Sequence, residues 1–294
     1  MKNTHSIPNL IEYTFLRTTE SVCRLMPRGM ALACGAALGR LMHAAGVYRR
    51  VIDANMRHVG YWTEDEMRGI KRRLYRNMGR YMADFLHTRP GELPYYPDPM
   101  PLVNRVQSRG KGVLVVLGHF GNWEALASAF GRRADGLHAV SMPMNNPLVE
   151  RWLTRRRAAT GVVEITKHKA ARRILTTLRK NKLVAVLIDQ NARRHGTMVP
   201  FLGKDASTVR TVAGLLQKTG CGVVLVYALL EDDNRYRIHI EEGRDLGIDP
   251  ADQDTFIAAY QREHNDVLSE WIRQHPEHWF GWFHKRYRGS ISYK

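Results

Sequence analysis

Apolar positions change their spacing near residue 111, and the chain has a different texture on either side of that point. Before it, Ile7, Leu10, Ile11, Phe15, Val22, Leu25 and Met26 recur mostly at helical intervals, with Glu12, Arg17, Glu20 and Arg24 between them. Pro27 and Gly29 stop this helix, and a second one, rich in small residues, is predicted through Ala45. A third stretch, roughly 63–87, carries Met67, Ile70, Leu74, Met78, Met82 and Phe85 on or near one face. Lys71, Arg72, Arg73, Arg76 and Arg80 crowd its other sides. Pro90, Pro94, Pro97, Pro99 and Pro101 follow, a density that predicts a connector rather than a helix.

Beyond residue 111, short apolar runs at 112–117, 137–141, 162–165, 183–188, 223–230 and 236–240 alternate with helical segments near 123–133, 147–159, 169–180 and 208–219. This alternation predicts an α/β fold. The last two runs, joined across 231–235, read as a hairpin, and a final helix is expected over 252–274. The expected architecture is a mixed central sheet flanked by helices. We read one domain over 1–294, with residues 1–110 as a helical N-terminal extension within it.

Composition narrows the class. An apolar fraction of 44% with 9% aromatics excludes wholesale disorder. Cys23, Cys34 and Cys221 are odd in number and far apart, so they offer neither a disulfide framework nor a Cys-x-x-Cys metal pair, and a reducing, cytosolic setting is expected. A formal charge of +17 calls for a partner: nucleic acid, an anionic membrane surface, or a phosphorylated or acidic substrate. The longest uncharged apolar stretches, 219–230 and 29–39, fall short of the roughly 20 residues that a span needs. The N-terminus also lacks the charged, apolar and small-residue order of a signal peptide. The chain is expected to be soluble or to lie on a membrane, not to thread one.

The candidate chemistry centres on Val113-Leu-Val-Val-Leu-Gly-His119-Phe-Gly-Asn-Trp-Glu124. An apolar strand ends at His119, where open α/β sheets place their sites, and Asn122 is a good N-cap for the helix that follows. Glu124, in the first helical turn, is close enough in sequence to fold back and fix the imidazole as a general base, an effect worth roughly 10²–10⁴-fold. A plainer reading also stands, in which His119 merely ends a strand and Glu124 favours a helix N-terminus through its dipole.

His119-Phe-Gly-Asn-Trp-Glu124 after an apolar strand resembles the acyltransferase motif of the bacterial lipid A late acyltransferases, a family that includes lauroyl and myristoyl transferases and phosphatidylinositol mannoside relatives. Further matches follow in order. They are Asn146-Pro147 before a helix ending Arg157-Ala-Ala-Thr-Gly161, Asp189-Gln190 after a strand, and Val199-Pro-Phe-Leu-Gly203 with Leu202 in place of a second Phe. Pro276-Glu277 with Trp279, Trp282, His284 and Arg286 resembles the C-terminal signature, with Gly281 as an inserted residue.

The resemblance covers nearly the whole chain and implies a glycerolipid acyltransferase-like fold. It also implies O-acyl transfer from an acyl carrier protein or coenzyme A thioester to a hydroxyl of a lipid A-type glycolipid, without a cofactor. His119 would deprotonate the acceptor and Glu124 would orient His119, and the absence of Ser or Cys inside the motif favours direct attack over an acyl-enzyme. Substrate contacts are implied at Arg157, Asp189, Gln190 and Asn122. A guanidinium at Arg157 suits a phosphate or oxyanion, although three consecutive arginines, Arg155, Arg156 and Arg157, also suit a solvated helix face. Asp189 and Gln190 equally suit a polar turn at a strand end.

Other acceptors are a mannosylated phosphoinositide or a lyso-phospholipid. The N-terminal helix either lies on anionic headgroups, at the cytoplasmic face of the bacterial inner membrane as a peripheral protein, or packs on the domain. The aromatic and basic tail at 279–288 suits a membrane interface, single-stranded nucleic acid, or a buried anchor with a basic rim. A nucleic-acid-binding protein is the reading from a different class. It leaves the His119 strand–turn–helix unexplained, so no nucleic acid is expected. His264, His275, His278 and His284 match no metal-ligand spacing, and no metal is expected.

Overall fold

The computed structural model describes residues 6–89, 93–133, 136–166 and 170–293. Its centre is a seven-stranded sheet in the order β1-β9-β8-β2-β5-β3-β4. The strands are β1 (Tyr95–Tyr96), β2 (Val113–Leu117), β3 (Leu137–Ser141), β4 (Val162–Thr166), β5 (Leu183–Leu187), β8 (Gly222–Leu230) and β9 (Tyr236–Glu242). Only β8 and β9 pair antiparallel, as the hairpin predicted across 231–235, so the sheet is mixed as expected. β2 reads Val-Leu-Val-Val-Leu because every one of its residues is buried, as a parallel strand covered on both faces requires.

Helices α6 (Trp123–Arg133), α7 (Pro147–Ala158) and α8 (Ala170–Arg179) connect β2 to β5 through β3 and β4. From β2 the chain steps outward to β3 and β4, then returns to insert β5 between β2 and β3. From β5 it crosses to the other side of β2, through α9 (Thr211–Thr219), to form β8. The reversal of strand order therefore falls beside β2, the position where open α/β sheets leave a crevice.

Two parts of the sequence reading are corrected. The proline-rich stretch holds β1 and the start of α5 (Met100–Gln107), since Pro101 sits in the first helical turn, where its missing N–H has no intrahelical partner to lose. Residues 208–210 do not belong to a helix: β7 (Lys204–Val209) pairs antiparallel with β6 (Gly196–Phe201). Leu202 and Gly203 turn this hairpin with φ of 50° and 72°, and burial of Leu202 fixes a conformation that an apolar side chain seldom adopts.

Among the described residues four helices precede the sheet: α1 (Ile7–Leu25), α2 (Arg28–Ala44), α3 (Arg49–Val59) and α4 (Glu64–His87). The small residues of α2 are explained by its contact with α4, where a Cβ on Gly35 would meet the Gly79 carbonyl oxygen at 2.3 Å. Asp84 of α4, fully buried, accepts from Arg28 Nε at 2.7 Å and from the Tyr236 hydroxyl at 2.5 Å, tying the helical segment to β9. On α1 only Glu20 is buried, held by Arg17, Arg24 and Trp152, whereas Ile7, Leu10, Ile11, Phe15, Val22 and Leu25 are exposed. Among the described residues no single helix is long and apolar enough to cross a membrane.

After α10 (Gln253–Gln274) the chain returns to the sheet, and Phe120 and Trp279 form an antiparallel bridge. Trp279, Trp282, Arg286 and Tyr287 are buried, with the two indoles 4.5 Å apart, so these residues are an internal anchor and offer no face to bases or lipid.

Candidate active site

Leu117 of β2 and Leu187 of β5 are register partners on adjacent parallel strands. Two residues further on, His119 and Asp189 emerge side by side at the carboxyl end of the sheet. His119 Nδ1 lies 2.8 Å from Asp189 Oδ1, and Asp189 Oδ2 accepts both the His119 backbone N–H and the Trp279 indole N–H, each at 2.8 Å. Asp189 is fully buried while 19% of the His119 side chain remains exposed. Burial pushes the imidazole pKa down, but the charge and hydrogen bond of Asp189 outweigh it and hold the pKa above the ordinary 6.5. Burial would raise the Asp189 carboxyl. His119 and the Trp279 N–H overcome this and hold it down at about 2. With Nδ1–H donated to Asp189, Nε2 keeps its lone pair and can accept a proton. The Gln190 side-chain nitrogen lies 3.4 Å from that Nε2, and the Trp123 ring stands edge-on to the imidazole at 5.1 Å.

The turn that carries His119 is clamped from both sides. Phe280 N–H donates to the His119 carbonyl at 2.7 Å and Gly121 N–H to that of His278 at 2.9 Å. Gly121 has φ of 66°, and a Cβ there would fall 2.1 Å from the Ala228 carbonyl oxygen, so only glycine lets the turn press onto β8.

Glu124 makes no hydrogen bond to His119, unlike the expectation from spacing. The first turn of α6 aims its carboxylate at α7, where Arg157 takes it bidentately, Nη2 to Oε1 at 2.5 Å and Nε to Oε2 at 3.2 Å. Arg157 also holds Glu164 at 2.9 Å. It is therefore no solvated helix face: against the downward push of burial, the two carboxylates keep its pKa raised. Asn122 is tied into the scaffold. Its side-chain oxygen accepts from Glu124 N and Ala125 N, capping α6, and its amide donates to the Tyr236 hydroxyl at 2.7 Å, deep in the protein.

His119, Glu124, Arg157 and Gln190 all border a cavity of about 680 Å³, within the range of small-molecule sites. Most of its lining is apolar, including Leu126, Phe130, Leu137, Val140, Ile174 and Val226. A base with an anchored tautomer thus borders a greasy chamber, and an ion-paired guanidinium lines it too. Sequence reasoning missed Asp189 as the partner of His119 and, although it singled out Trp279, missed that its indole N–H reaches Asp189. A signal for the first existed, since Asp189 follows its strand by the same two residues as His119 follows β2.

A family model described as bacterial lipid A biosynthesis acyltransferase matches residues 11–289 of the 294-residue chain. No curated protein matches the chain significantly.

Proposed function

The chain belongs to the bacterial lipid A biosynthesis acyltransferase family and is an enzyme that transfers acyl groups, and we propose that it moves a fatty acyl chain from a thioester to a hydroxyl of a lipid A-type glycolipid. The observation that carries this reading is the His119–Asp189 pair beside a largely apolar cavity of about 680 Å³. The acyl chain fills the cavity with its carbonyl at the rim. The acceptor hydroxyl displaces the Gln190 amide from His119 and gives its proton to Nε2 as its oxygen attacks the carbonyl carbon. Asp189 stabilises the imidazolium that forms. The tetrahedral intermediate then expels the thiolate, which takes the proton back from Nε2, so His119 ends as it began and no covalent enzyme intermediate is needed. Arg157, fixed between Glu124 and Glu164, faces the developing oxyanion from the rim and lowers its energy electrostatically.

The donor is an acyl carrier protein or coenzyme A thioester, and no cofactor takes part. The exposed apolar stripe of α1, continued by Met30, Leu38 and Leu41 on α2, lies in the interface of an anionic membrane. The protein is peripheral, on the cytoplasmic face of the bacterial inner membrane. Mass spectrometry of lipid extracts from cells with and without the protein tests the whole reading. A mass step of one acyl chain on a glycolipid is expected, and identical lipid profiles would overturn it. A step on a mannosylated phosphoinositide or lyso-phospholipid would replace the acceptor.

A further inference from the structure

Helix α1 grips α7 at two places, although little apolar surface holds it to the body. Among the described residues of α1 only the Glu20 carboxylate is buried. It accepts from the Trp152 indole N–H at 3.0 Å and lies 3.5 Å from the Arg156 guanidinium, both on α7. Near the other end of α1, the Asn146 amide donates to the Asn9 carbonyl at 2.8 Å and to Glu12 Oε2 at 2.9 Å. The Asn146 side-chain oxygen meanwhile accepts the Leu148 N–H and caps α7. Arg156 also donates to the carbonyls of Phe85 and Thr88, so its side chain, 8% exposed, is sunk between α1, α4 and α7. Burial pulls its pKa down to about 10, and the Glu20 charge opposes the fall.

The segment held in this way is a wall of the cavity beside His119. Met142, Met144, Leu153 and Arg157 all line it. Met144 N–H donates to Glu150 Oε2 at 2.7 Å, which ties the loop before α7 to the helix itself. We propose that α1 couples docking on an anionic lipid surface to the positioning of this wall, with Asn146 and Glu20 as the positioning residues. In water α1 leaves Ile7, Leu10, Ile11 and Phe15 exposed and has little apolar burial to resist fraying. A lipid surface covers that stripe together with Met30, Leu38 and Leu41 of α2, and it meets both at once only when α1 is folded and seated on the body. Seating closes the contacts of Asn146 and Glu20 and so fixes Met144 and Arg157 along the cavity. By reciprocity, a ligand that orders α7 tightens docking on the lipid. The coupling rests on the reading of α1 as the membrane face.

The test follows amide hydrogen exchange in α1 and α7, with and without vesicles of phosphatidylglycerol and phosphatidylcholine, for wild type, Asn146→Asp and Glu20→Gln. Asn146→Asp keeps the oxygen that caps α7 and removes the donor to Asn9 and Glu12. Glu20→Gln keeps the shape and removes the charge that faces Arg156. Thermal melting checks folding, and Asn146→Asp decides the matter if Glu20→Gln does not fold. Saturating vesicles should slow exchange in α1 for every folded protein. In α7 they should slow it about tenfold in wild type and much less in either variant. Equal slowing of α7 in wild type and Asn146→Asp would overturn the proposal. Slowing confined to α1 in wild type would sink the coupling and leave the membrane face standing. No slowing in α1 would remove the membrane reading, and the coupling with it. Exchange needs no turnover, so the result does not depend on the chemistry of His119. On a vesicle-borne acceptor at saturating vesicle, Asn146→Asp should also lower kcat, and an unchanged kcat would count against a positioning role.

Discussion

His119 and Asp189 stand at equivalent positions on neighbouring strands, each two residues beyond the register pair Leu117 and Leu187. Their 2.8 Å contact is therefore set by the pairing of β2 with β5 and does not depend on a flexible loop. Asp189→Asn should cut kcat by about 10²–10⁴-fold, because the amide can hold the imidazole in the wrong tautomer and no longer stabilises its charged form. It should also move the acid limb of the pH profile. In the wild type the free base grows as pH rises through a midpoint above 6.5, and without the carboxylate the burial penalty is unopposed and the midpoint falls. The sign for stability is opposite for the two partners. The raised His119 pKa stabilises the fold below 6.5 and its contribution is lost as pH rises through the folded value. The depressed Asp189 pKa stabilises above 3.8 and is lost on descending towards about 2. Initial rates across pH 5 to 9 check the loss of kcat and the shifted midpoint, and denaturant melts from pH 2 to 8 check the stability signs.

His119→Ala should abolish transfer and leave the fold intact, since part of the side chain is exposed and its removal opens space towards the cavity. Circular dichroism and thermal melting verify folding, and acyl transfer measured by mass spectrometry gives the activity. Wild-type turnover in the folded variant would refute the assignment.

Glu124→Gln separates the two carboxylates. It leaves Arg157 with Glu164 alone, so the rate should drop and stability should fall by about 1–3 kcal/mol, the cost of weakening a charge-assisted contact with little water. The pH midpoint should not move, because Glu124 does not touch the imidazole. A shifted midpoint would show that it reaches His119 during turnover.

Trp279→Phe keeps the buried ring but deletes the N–H that donates to Asp189 Oδ2. Asp189 then carries one donor fewer. The expected result is a loss of about 1 kcal/mol in chemical denaturation and a modestly reduced kcat. No change in either would mean the indole only fills space.

Ile11→Ser with Phe15→Ser alters two exposed positions of α1 and should barely affect the melting temperature. Co-sedimentation with vesicles containing phosphatidylglycerol should fall several-fold, following the apolar area removed. Undiminished sedimentation would reject α1 as the membrane face.

The strand–turn–helix around His119 was legible because all of it is local: an apolar run, two glycines and a capping Asn within a dozen residues. β3 and α6 match the predicted ranges residue for residue. The partner of His119 was hinted at only by its two-residue offset from a strand end, because which strand inserts beside β2 is decided by packing across a sequence separation of 70 residues. Glu124 has a different partner from the one expected, for the opposite reason. Nearness in sequence suggested contact, but one helical turn swings its side chain towards Arg157. The β6–β7 hairpin escaped notice because Pro200 and a buried Leu202 at positive φ obscure both the alternation and the turn signal.

Asp84 has one further consequence. It is fully buried, and Arg28 is the cation that answers it. Shortening the chain from its front end to remove the greasy helix already takes Glu20 away from Trp152 and from buried Arg156. Losing residue 28 as well would strand a carboxylate in the interior at a cost of about 3–5 kcal/mol. Through Tyr236 and Asn122 the damage would then reach the cap beneath the reactive turn.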